Sequence, residues 1–154
     1  MLSVAELMTP RSQLATLTRD APLEAARAVM ASRQIRHIPI VDGQDHVVGI
    51  LSHRDILAAS GRATAEGDAG KADRVPVSQV MTTDVEVVDR RVGLRAAGEF
   101  MHRHRFGCLP VVRDDVLVGL ITDSDFLEVA LSLLEQAEAA EPEETEPEEA
   151  ESPA

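Results

Sequence analysis

The 154-residue chain has very few aromatic residues: no tryptophan, no tyrosine and three phenylalanines, Phe100, Phe106 and Phe126. A core must therefore be built from aliphatic side chains, and the 44% hydrophobic content is sufficient for one. Proteins that bind single-stranded nucleic acid stack bases on aromatic side chains. The scarcity of aromatic residues therefore argues against that function.

Cysteine and long apolar runs are also scarce. Cys108 is the only cysteine, so no internal disulfide can form. Its neighbours, FGCLPVV, favour a buried strand in which the thiol is a small hydrophobe and not a reactive nucleophile. No apolar run approaches the ~20 residues that span a bilayer, and the N-terminus lacks a signal-peptide pattern. We expect a soluble, cytoplasmic protein with no membrane partner.

Positive charge is absent from the C-terminal end of the chain. Residues 135–154 hold nine glutamates and no lysine or arginine, while the other 134 residues carry 18 acidic and 15 basic residues. The body is nearly neutral and lacks the basic footprint of a duplex binder, so we expect no nucleic-acid partner. The segment EPEETEPEEAESPA is expected to be a disordered acidic tail, either a solvating extension or a partner-binding segment.

What the sequence does contain is a repeat. The phrase GILSHRD at 49–55 matches GLITDSD at 119–125, 70 residues later. Three further pairs share a similar offset: VAELMT at 4–9 with VSQVMT at 77–82, LEAARAVM at 23–30 with LRAAGEFM at 94–101, and HIPIVD at 37–42 with CLPVVR at 108–113. We divide the chain into a first repeat (1–60), a linker (61–75), a second repeat (76–134), and a helix end with an acidic tail (135–154).

Each repeat predicts the order β-α-β-β-α, which is an α/β (α+β) fold class. A short helical turn (3–8, 77–81) and an extended segment (14–17, 85–88) come first, with Asp20 and Asp89 as candidate helix N-caps. Apolar residues at helical spacing follow: Leu23, Ala26 and Met30, then Leu94, Ala97 and Met101. Hairpins of strands 37–41 with 47–52, and 108–112 with 116–122, lead into a second helix after Ser52 and Thr122. Because one such unit buries little surface alone, we expect a pseudo-twofold pair with one cleft per copy.

The duplicated strand and the duplicated G-h-h-[ST]-x-x-D phrase (where h is an apolar residue) resemble a tandem pair of CBS domains, a Bateman module. The resemblance covers about 125 of the 154 residues. It implies a stand-alone regulatory module that binds an adenosine-containing ligand, such as AMP, ADP, ATP or S-adenosylmethionine, and needs no catalytic cofactor. It also implies a homodimer formed through the CBS pairs, and an effector protein that the sequence does not identify.

The repeated phrase itself has two physical interpretations. Ser52 and Thr122 lie where a helix begins, and helix N-termini bind phosphate. Asp55 and Asp125 follow one turn later, where a carboxylate can accept hydrogen bonds from ribose hydroxyls. The same spacing is also a capping box that only starts the helix. The two roles are compatible, and both stay open at this point.

The two copies differ between the hydroxyl and the carboxylate. Arg54 stands in the first copy, where a guanidinium suits phosphate, whereas Asp123 in the second repels it. We therefore predict that a polyanionic ligand prefers the cleft of Ser52 and Asp55, and that replacing Arg54 with alanine weakens ATP more than adenosine.

An adenine ring needs a flat apolar slot. Candidate segments are 9–14 and 82–85, and the candidate side chains are Ile38, Pro39, Leu109, Pro110 and Val85. Each of these residues taken singly is equally consistent with an ordinary core position.

Two other constellations carry no predicted chemistry. His102 and His104 in MHRHR point apart on a helix, so we predict no metal site. We interpret the segment as a basic helix end. From there Arg103 and Arg105 could reach a cleft phosphate. Ser52, His53 and Asp55 are too close in sequence to converge as a catalytic triad. We predict no catalytic residue and no enzyme activity.

Residues 126–140 predict a helix longer than its counterpart in the first repeat, with an apolar stripe that packs on its own module or forms a dimer contact. The sequence admits three functions. The first is a ligand-sensing module that acts on a partner or on its own oligomeric state; the second is an unliganded structural or dimerisation module; the third is an enzyme.

Overall fold

In the computed structural model, which describes residues 1–65, 67 and 70–141, each repeat builds a hairpin flanked by helices. The first repeat contains α1 (Val4–Leu7), β1 (Thr9–Pro10), α2 (Leu23–Arg33), β2 (His37–Val41), β3 (Val47–Ser52) and α3 (His53–Ala65). The second contains β4 (Val88–Asp89), α4 (Leu94–His104), β5 (Cys108–Arg113), β6 (Val116–Thr122) and α5 (Asp123–Ala140). Short 3-10 turns lie at Arg11–Gln13, Ala72–Arg74 and Val77–Gln79.

The predicted mixed α and β fold is confirmed, and so are its main elements. Both hairpins form over the predicted residues, and α3 and α5 begin directly after Ser52 and Thr122. The apolar residues predicted to face the core from the first long helix of each repeat are all buried: Leu23, Ala26, Met30, Leu94, Ala97 and Met101. Hydrophobic periodicity was therefore sufficient to orient α2 and α4.

The sheets exchange segments between the repeats. The leading segment of the first repeat supplies β1, which pairs with β6 of the second repeat, Thr9 lying opposite Leu120. In return, Thr82 of the second repeat's leading segment exchanges two backbone hydrogen bonds of 2.9 Å with Ile50 in β3. Each hairpin is thus extended by the other repeat, so neither sheet is completed by its own repeat alone.

The two cores follow the same exchange. One buried cluster contains α2, β2 and β3 side chains together with Val77 and Met81 from the second repeat's leading segment. The other contains α4, β5 and β6 side chains together with Val4 from α1. A fragment that contains only one repeat would expose apolar surface of its core. The two repeats therefore depend on each other for burial.

The predicted helix caps at Asp20 and Asp89 are wrong. The residues that precede α2 and α4 are Pro22 and Gly93, and neither makes a side-chain cap. Instead, the first helical N–H groups donate to carbonyls of distant segments, Leu23 to Val75 at the end of the linker at 2.9 Å and Leu94 to Leu2 of the first repeat at 2.8 Å. Tertiary contacts satisfy the helix starts, so no local capping residue is needed.

The predicted linker begins inside a helix, because α3 continues through Ala65. Ala72 is buried within a 3-10 turn, so part of the linker packs against the body. Residues 66, 68 and 69 of the linker and residues 142–154 of the acidic tail lie outside the described residues.

Candidate functional site

Both repeated phrases form capping boxes. At the start of α3, the Asp55 amide donates to Ser52 Oγ at 3.1 Å, and the Ser52 amide donates to Asp55 Oδ2 at 2.9 Å. At the start of α5, the Thr122 amide donates to Asp125 Oδ2 at 2.8 Å within the same kind of reciprocal box. The capping interpretation is therefore correct for the protein as it stands. Each carboxylate uses one oxygen for the cap, and its second oxygen remains an acceptor site.

A cavity of about 1900 Å³ lies between the repeats, and both phrases contribute to it. Ser52, Thr122 and Asp125 line it, and Arg54 does so from the first turn of α3. Asp55 is not among the lining residues, although it lies one turn from Ser52 and is half-buried. The cavity is continuous across the two copies, whereas one cleft per copy was expected.

The leading segment of the first repeat forms part of the cavity wall, next to β6 of the second repeat. Thr9, Gln13, Leu14 and Ala15 line the cavity, and β1 brings them beside Leu120 and Thr122 because Thr9 pairs with Leu120. Thr9, Gln13 and Leu14 of the candidate adenine segment therefore line the same cavity as Asp125, whereas Asp55 is not among the lining residues. This partnership depends on the exchange of segments between the sheets.

The lining charges are unevenly divided. The first repeat contributes Arg33, Arg36 and Arg54 and no carboxylate. The second repeat contributes Arg103 and Arg105 together with three carboxylates, Asp123, Asp125 and Glu128. One wall is therefore purely cationic, and the other is mixed. Such a cavity suits a ligand with an anionic end and an end rich in hydrogen-bond donors.

His37 lines the cavity where the repeats meet. A Cβ placed on Gly107 would lie 3.3 Å from both Cε1 and Nε2 of His37, and 3.9 Å from Asp123 Oδ2. The imidazole and this carboxylate therefore approach the same small volume beside Gly107. Burial lowers the pKa of His37, an effect that the negative charges of Asp123 and Asp55 partly offset and that Arg36 reinforces.

Cys108 occupies the position in β5 that corresponds to His37 in β2. Burial, with a smaller contribution from the negative charge of Asp123, raises the pKa of its thiol to about 12. A thiol with that pKa carries almost no thiolate near neutral pH. This agrees with the prediction that Cys108 is a small apolar residue in a strand.

The predicted adenine-slot side chains lie mostly in the cores. Ile38, Pro39, Leu109 and Pro110 are fully buried, and none of them lines the cavity. Val85 is half-buried and is also not among the lining residues. Their positions fit the core interpretation, and their role in binding stays a prediction.

Several lining residues were missed from the sequence, including Arg33, Arg36 and His37. Ile35 and Phe106, which come two residues before β2 and β5, were missed as well. Phe106 is 37% exposed and stacks against His104, with ring centroids 5.9 Å apart. Each follows a residue with a left-handed backbone, Gln34 (φ 54°) and Arg105 (φ 57°), which ends the preceding helix. The only sequence signal was their matching place in the two copies.

The described residues contain no group of three or more metal-ligating side chains positioned to hold an ion. Among the helices that the structure describes, none combines the length and the apolar character needed to cross a membrane.

A known protein family matches both repeats. The family model for the CBS domain matches residues 4–62 and 77–132. The CBS domain-containing protein YhcV of Bacillus subtilis is 33% identical over 125 residues, which cover 81% of this chain and 83% of that protein. An inosine-5'-monophosphate dehydrogenase of Thermoplasma acidophilum is 34% identical over 113 residues, 73% of this chain. The chain spans only 21% of that dehydrogenase.

Solved structures show the same architecture. AcuB from Vibrio cholerae is 43% identical, with a TM-score of 0.76 over 92% of this chain and 99% of that one. CBSX2 from Arabidopsis thaliana, crystallised in complex with AMP, is 25% identical, with a TM-score of 0.74 over 87% of this chain and 99% of that one.

Proposed function

This chain belongs to the CBS-domain family, and we propose that it is a regulatory module that binds an adenosine-containing ligand in the cavity between its repeats. The observation that carries the proposal is that Ser52, Thr122 and Asp125, at the starts of two helices, line one cavity with five arginines. The complex of the similar protein CBSX2 with AMP supports this class of ligand.

The residues suit the parts of a nucleotide. Oδ1 of Asp125 can accept a hydrogen bond from a ribose hydroxyl, because only Oδ2 serves the cap. Leu14, Leu120 and Phe106 offer apolar surface for a base near the first repeat's leading segment. The arginines and the two helix starts offer donors and positive charge to phosphate. The capping boxes hold the binding groups in place before a ligand arrives, which lowers the entropic cost of binding.

A thermal-shift panel of AMP, ADP, ATP, S-adenosylmethionine and NAD tests the proposal. A ligand at 100 times its dissociation constant stabilises the folded state by about 2.7 kcal/mol, so at least one member should raise the melting temperature clearly. Replacing Asp125 with asparagine should weaken that ligand about tenfold, since a hydrogen bond to a charged acceptor is lost. The amide oxygen of asparagine can still cap α5.

Asp84→Asn is the matched control, because Asp84 is exposed and is not among the lining residues. Equal affinities in both variants would remove Asp125 from the site. The absence of any thermal shift across the panel would favour the structural module instead.

The regulatory output would be a change in a partner or in the protein's own oligomeric state. Ligand binding shifts such an equilibrium only if it favours one arrangement of the repeats. Because the cavity is built from both repeats, a ligand that touches both walls has that preference. The absence of catalysis and a cytoplasmic location stay predictions from the sequence.

The second candidate, a dimerisation module, is favoured by the surface of α5. Leu127, Leu131 and Leu134 follow helical spacing and are all more than half exposed, and Leu57 on α3 is equally exposed. We propose that these four leucines form an apolar stripe that contacts a second copy in a homodimer. Ligand binding and dimerisation are compatible, since the stripe lies outside the cavity except at Leu57.

A further inference from the structure

An ion pair ties one part of the cavity wall to the turn between β2 and β3. Arg11 begins the 3-10 turn that leads into the lining residues Gln13, Leu14 and Ala15. Its guanidinium binds both oxygens of Asp45, with Nε 2.8 Å from Oδ2 and Nη2 3.0 Å from Oδ1. The two side chains are 35% and 33% exposed, so the pair is partly shielded from water. A two-point contact of this kind fixes orientation as well as distance.

Further hydrogen bonds hold the same segment in place. Nη2 of Arg11 also donates to Thr16 Oγ1 at 3.2 Å, so one side chain bridges the start and the end of the segment. The Leu14 amide donates to the carbonyl of Arg11 at 3.1 Å, which closes the 3-10 turn. Arg33 of α2 donates to the carbonyl of Gln13 at 3.3 Å. The shape of this part of the wall therefore depends on arginine side chains that reach it from two directions.

The turn that carries Asp45 also contacts the second repeat. The carbonyl oxygen of Asp45 accepts a hydrogen bond of 3.0 Å from the amide of Leu117 in β6. The same strand carries Leu120 and Thr122 to the cavity. Asp45 therefore binds the first repeat's leading segment through its carboxylate and the second repeat through its backbone. The ion pair connects the wall to a point that both repeats share.

The second repeat cannot form a counterpart of this pair. Under the offset that aligns VAELMT with VSQVMT, Asp84 takes the place of Arg11. Under the offset that aligns GILSHRD with GLITDSD, Asp115 takes the place of Asp45, and both of these aspartates have a left-handed backbone. Two carboxylates repel each other. Residues 82–88, the counterparts of 9–15, are also not among the lining residues. The pair thus occurs in the repeat whose leading segment builds the wall.

We propose that Arg11 and Asp45 are positioning residues, whose ion pair holds Gln13, Leu14 and Ala15 as a wall before a ligand arrives. The effect of the pair on affinity rests on the proposed function, whereas its effect on the order of the wall does not. A wall that is ordered in advance lowers the entropic cost of binding. The gain is limited to the free energy by which the pair favours the ordered wall. For a partly exposed pair this corresponds to about three- to fivefold in affinity.

Amide hydrogen exchange followed by NMR tests the order of the wall in the ligand-free protein. In Asp45→Asn the Leu14 amide should exchange about three- to fivefold faster, because the 3-10 turn opens more often without the carboxylate. Asparagine tolerates the left-handed backbone at this position (φ 62°), so the substitution does not strain the turn. The Leu17 amide, which donates to the carbonyl of Pro39 in β2, should keep its rate.

Isothermal titration calorimetry with AMP and with S-adenosylmethionine measures the consequence for binding. Asp45→Asn and Arg11→Gln should each weaken a ligand that binds by about three- to fivefold. The double variant should weaken it no more than either single variant, since the two residues act through one contact. Urea denaturation of the same proteins separates positioning from stability. A pair that serves stability alone would lower the urea midpoint and leave the affinity of the folded protein unchanged, which would overturn the inference.

Arg91→Gln is the matched control. Arg91 pairs with Asp89, with Nε 2.9 Å from Oδ1, but it is 83% exposed and is not among the lining residues. This variant should keep the wild-type affinity and the wild-type exchange rate at Leu14. Equal changes in Arg91→Gln and Arg11→Gln would overturn the inference, because the loss of any arginine would then have the same effect.

The exchange experiment separates this inference from the proposed function. Faster exchange at Leu14 in Asp45→Asn, in a protein that binds no adenosine compound, would support the positioned wall and reject the adenosyl ligand. Nucleotide binding with an unchanged Leu14 rate in both Asp45→Asn and Arg11→Gln would leave the proposed function intact and overturn the role of the ion pair.

Discussion

At the residue scale, the most informative comparison is between the same position in the two copies. His37 and Cys108 begin equivalent strands and pair with Ser52 and Thr122, respectively. The two groups respond to burial in opposite directions: the histidine pKa falls and the cysteine pKa rises, and in both cases the neutral form is favoured. The repeats are similar in backbone but different in chemistry at their junction, so two identical ligand sites are not expected.

The thiol of Cys108 should be nearly inert. Its pKa of about 12, against an ordinary value of 9.0, lowers the thiolate population about a thousandfold. We expect the folded protein at about pH 8 to react with Ellman's reagent at least a hundredfold more slowly than the protein unfolded in guanidinium chloride. The absorbance of the released thionitrobenzoate measures both rates. Similar rates in the two states would show that the strand opens readily or that the thiol is not buried.

At the element scale, each repeated phrase begins with a glycine that permits contact with the other repeat. Met81 of the second repeat's leading segment packs over Gly49 in β3, and Met8 of the first packs over Gly119 in β6. The glycine of one copy therefore packs against the methionine of the VAELMT or VSQVMT segment of the other copy. A side chain on the glycine would displace the segment that extends the sheet.

Replacing Gly119 with alanine should destabilise the protein by about 1–3 kcal/mol, the usual range for overpacking. The new Cβ would lie 2.8 Å from the carbonyl oxygen of Thr9, and backbone of this kind cannot move aside without disturbing the β1–β6 pairing. Gly43→Ala is the control, since nothing lies within 4 Å of a Cβ at Gly43. Urea denaturation measures both variants. Equal stabilities would mean that the leading segment shifts easily.

At the scale of the whole molecule, the exchange of leading segments makes the cavity a property of the pair. Thr9, Gln13, Leu14 and Ala15 belong to the first repeat, but they line the same cavity as Thr122 and Asp125 of the second. A change in how the repeats pack would alter the distance between these residues and Asp125. The binding of the proposed ligand would therefore be connected directly to the arrangement of the repeats.

The exposed stripe of α5 should mediate self-association. Replacing Leu131, which is 53% exposed, with glutamate places a charge in the proposed contact and should convert a dimer to a monomer. Light scattering coupled to size-exclusion chromatography measures the mass, and Val87→Glu serves as the control at an exposed apolar residue outside α5. A wild-type monomer, or a Leu131→Glu variant that remains dimeric, would contradict this interface.

The sequence by itself determined the duplicated architecture, the two hairpins, the starts of α3 and α5 and the buried faces of α2 and α4. These features depend on local periodicity and on internal repetition, which a single chain displays directly. Ser52, Arg54, Thr122 and Asp125, which the sequence offers as ligand-binding residues, line the cavity, and their role in binding stays a prediction.

Only the tertiary structure decided which leading segment meets which repeat, why Asp20 and Asp89 are not caps, and why Ile38 and Leu109 lie in the cores while Ile35 and Phe106 line the cavity. The physical reason is that these outcomes depend on contacts between residues about 30–110 positions apart, such as Ile50 with Thr82 and Thr9 with Leu120. Local propensity favours an element, but a partner distant in sequence decides what that element packs against.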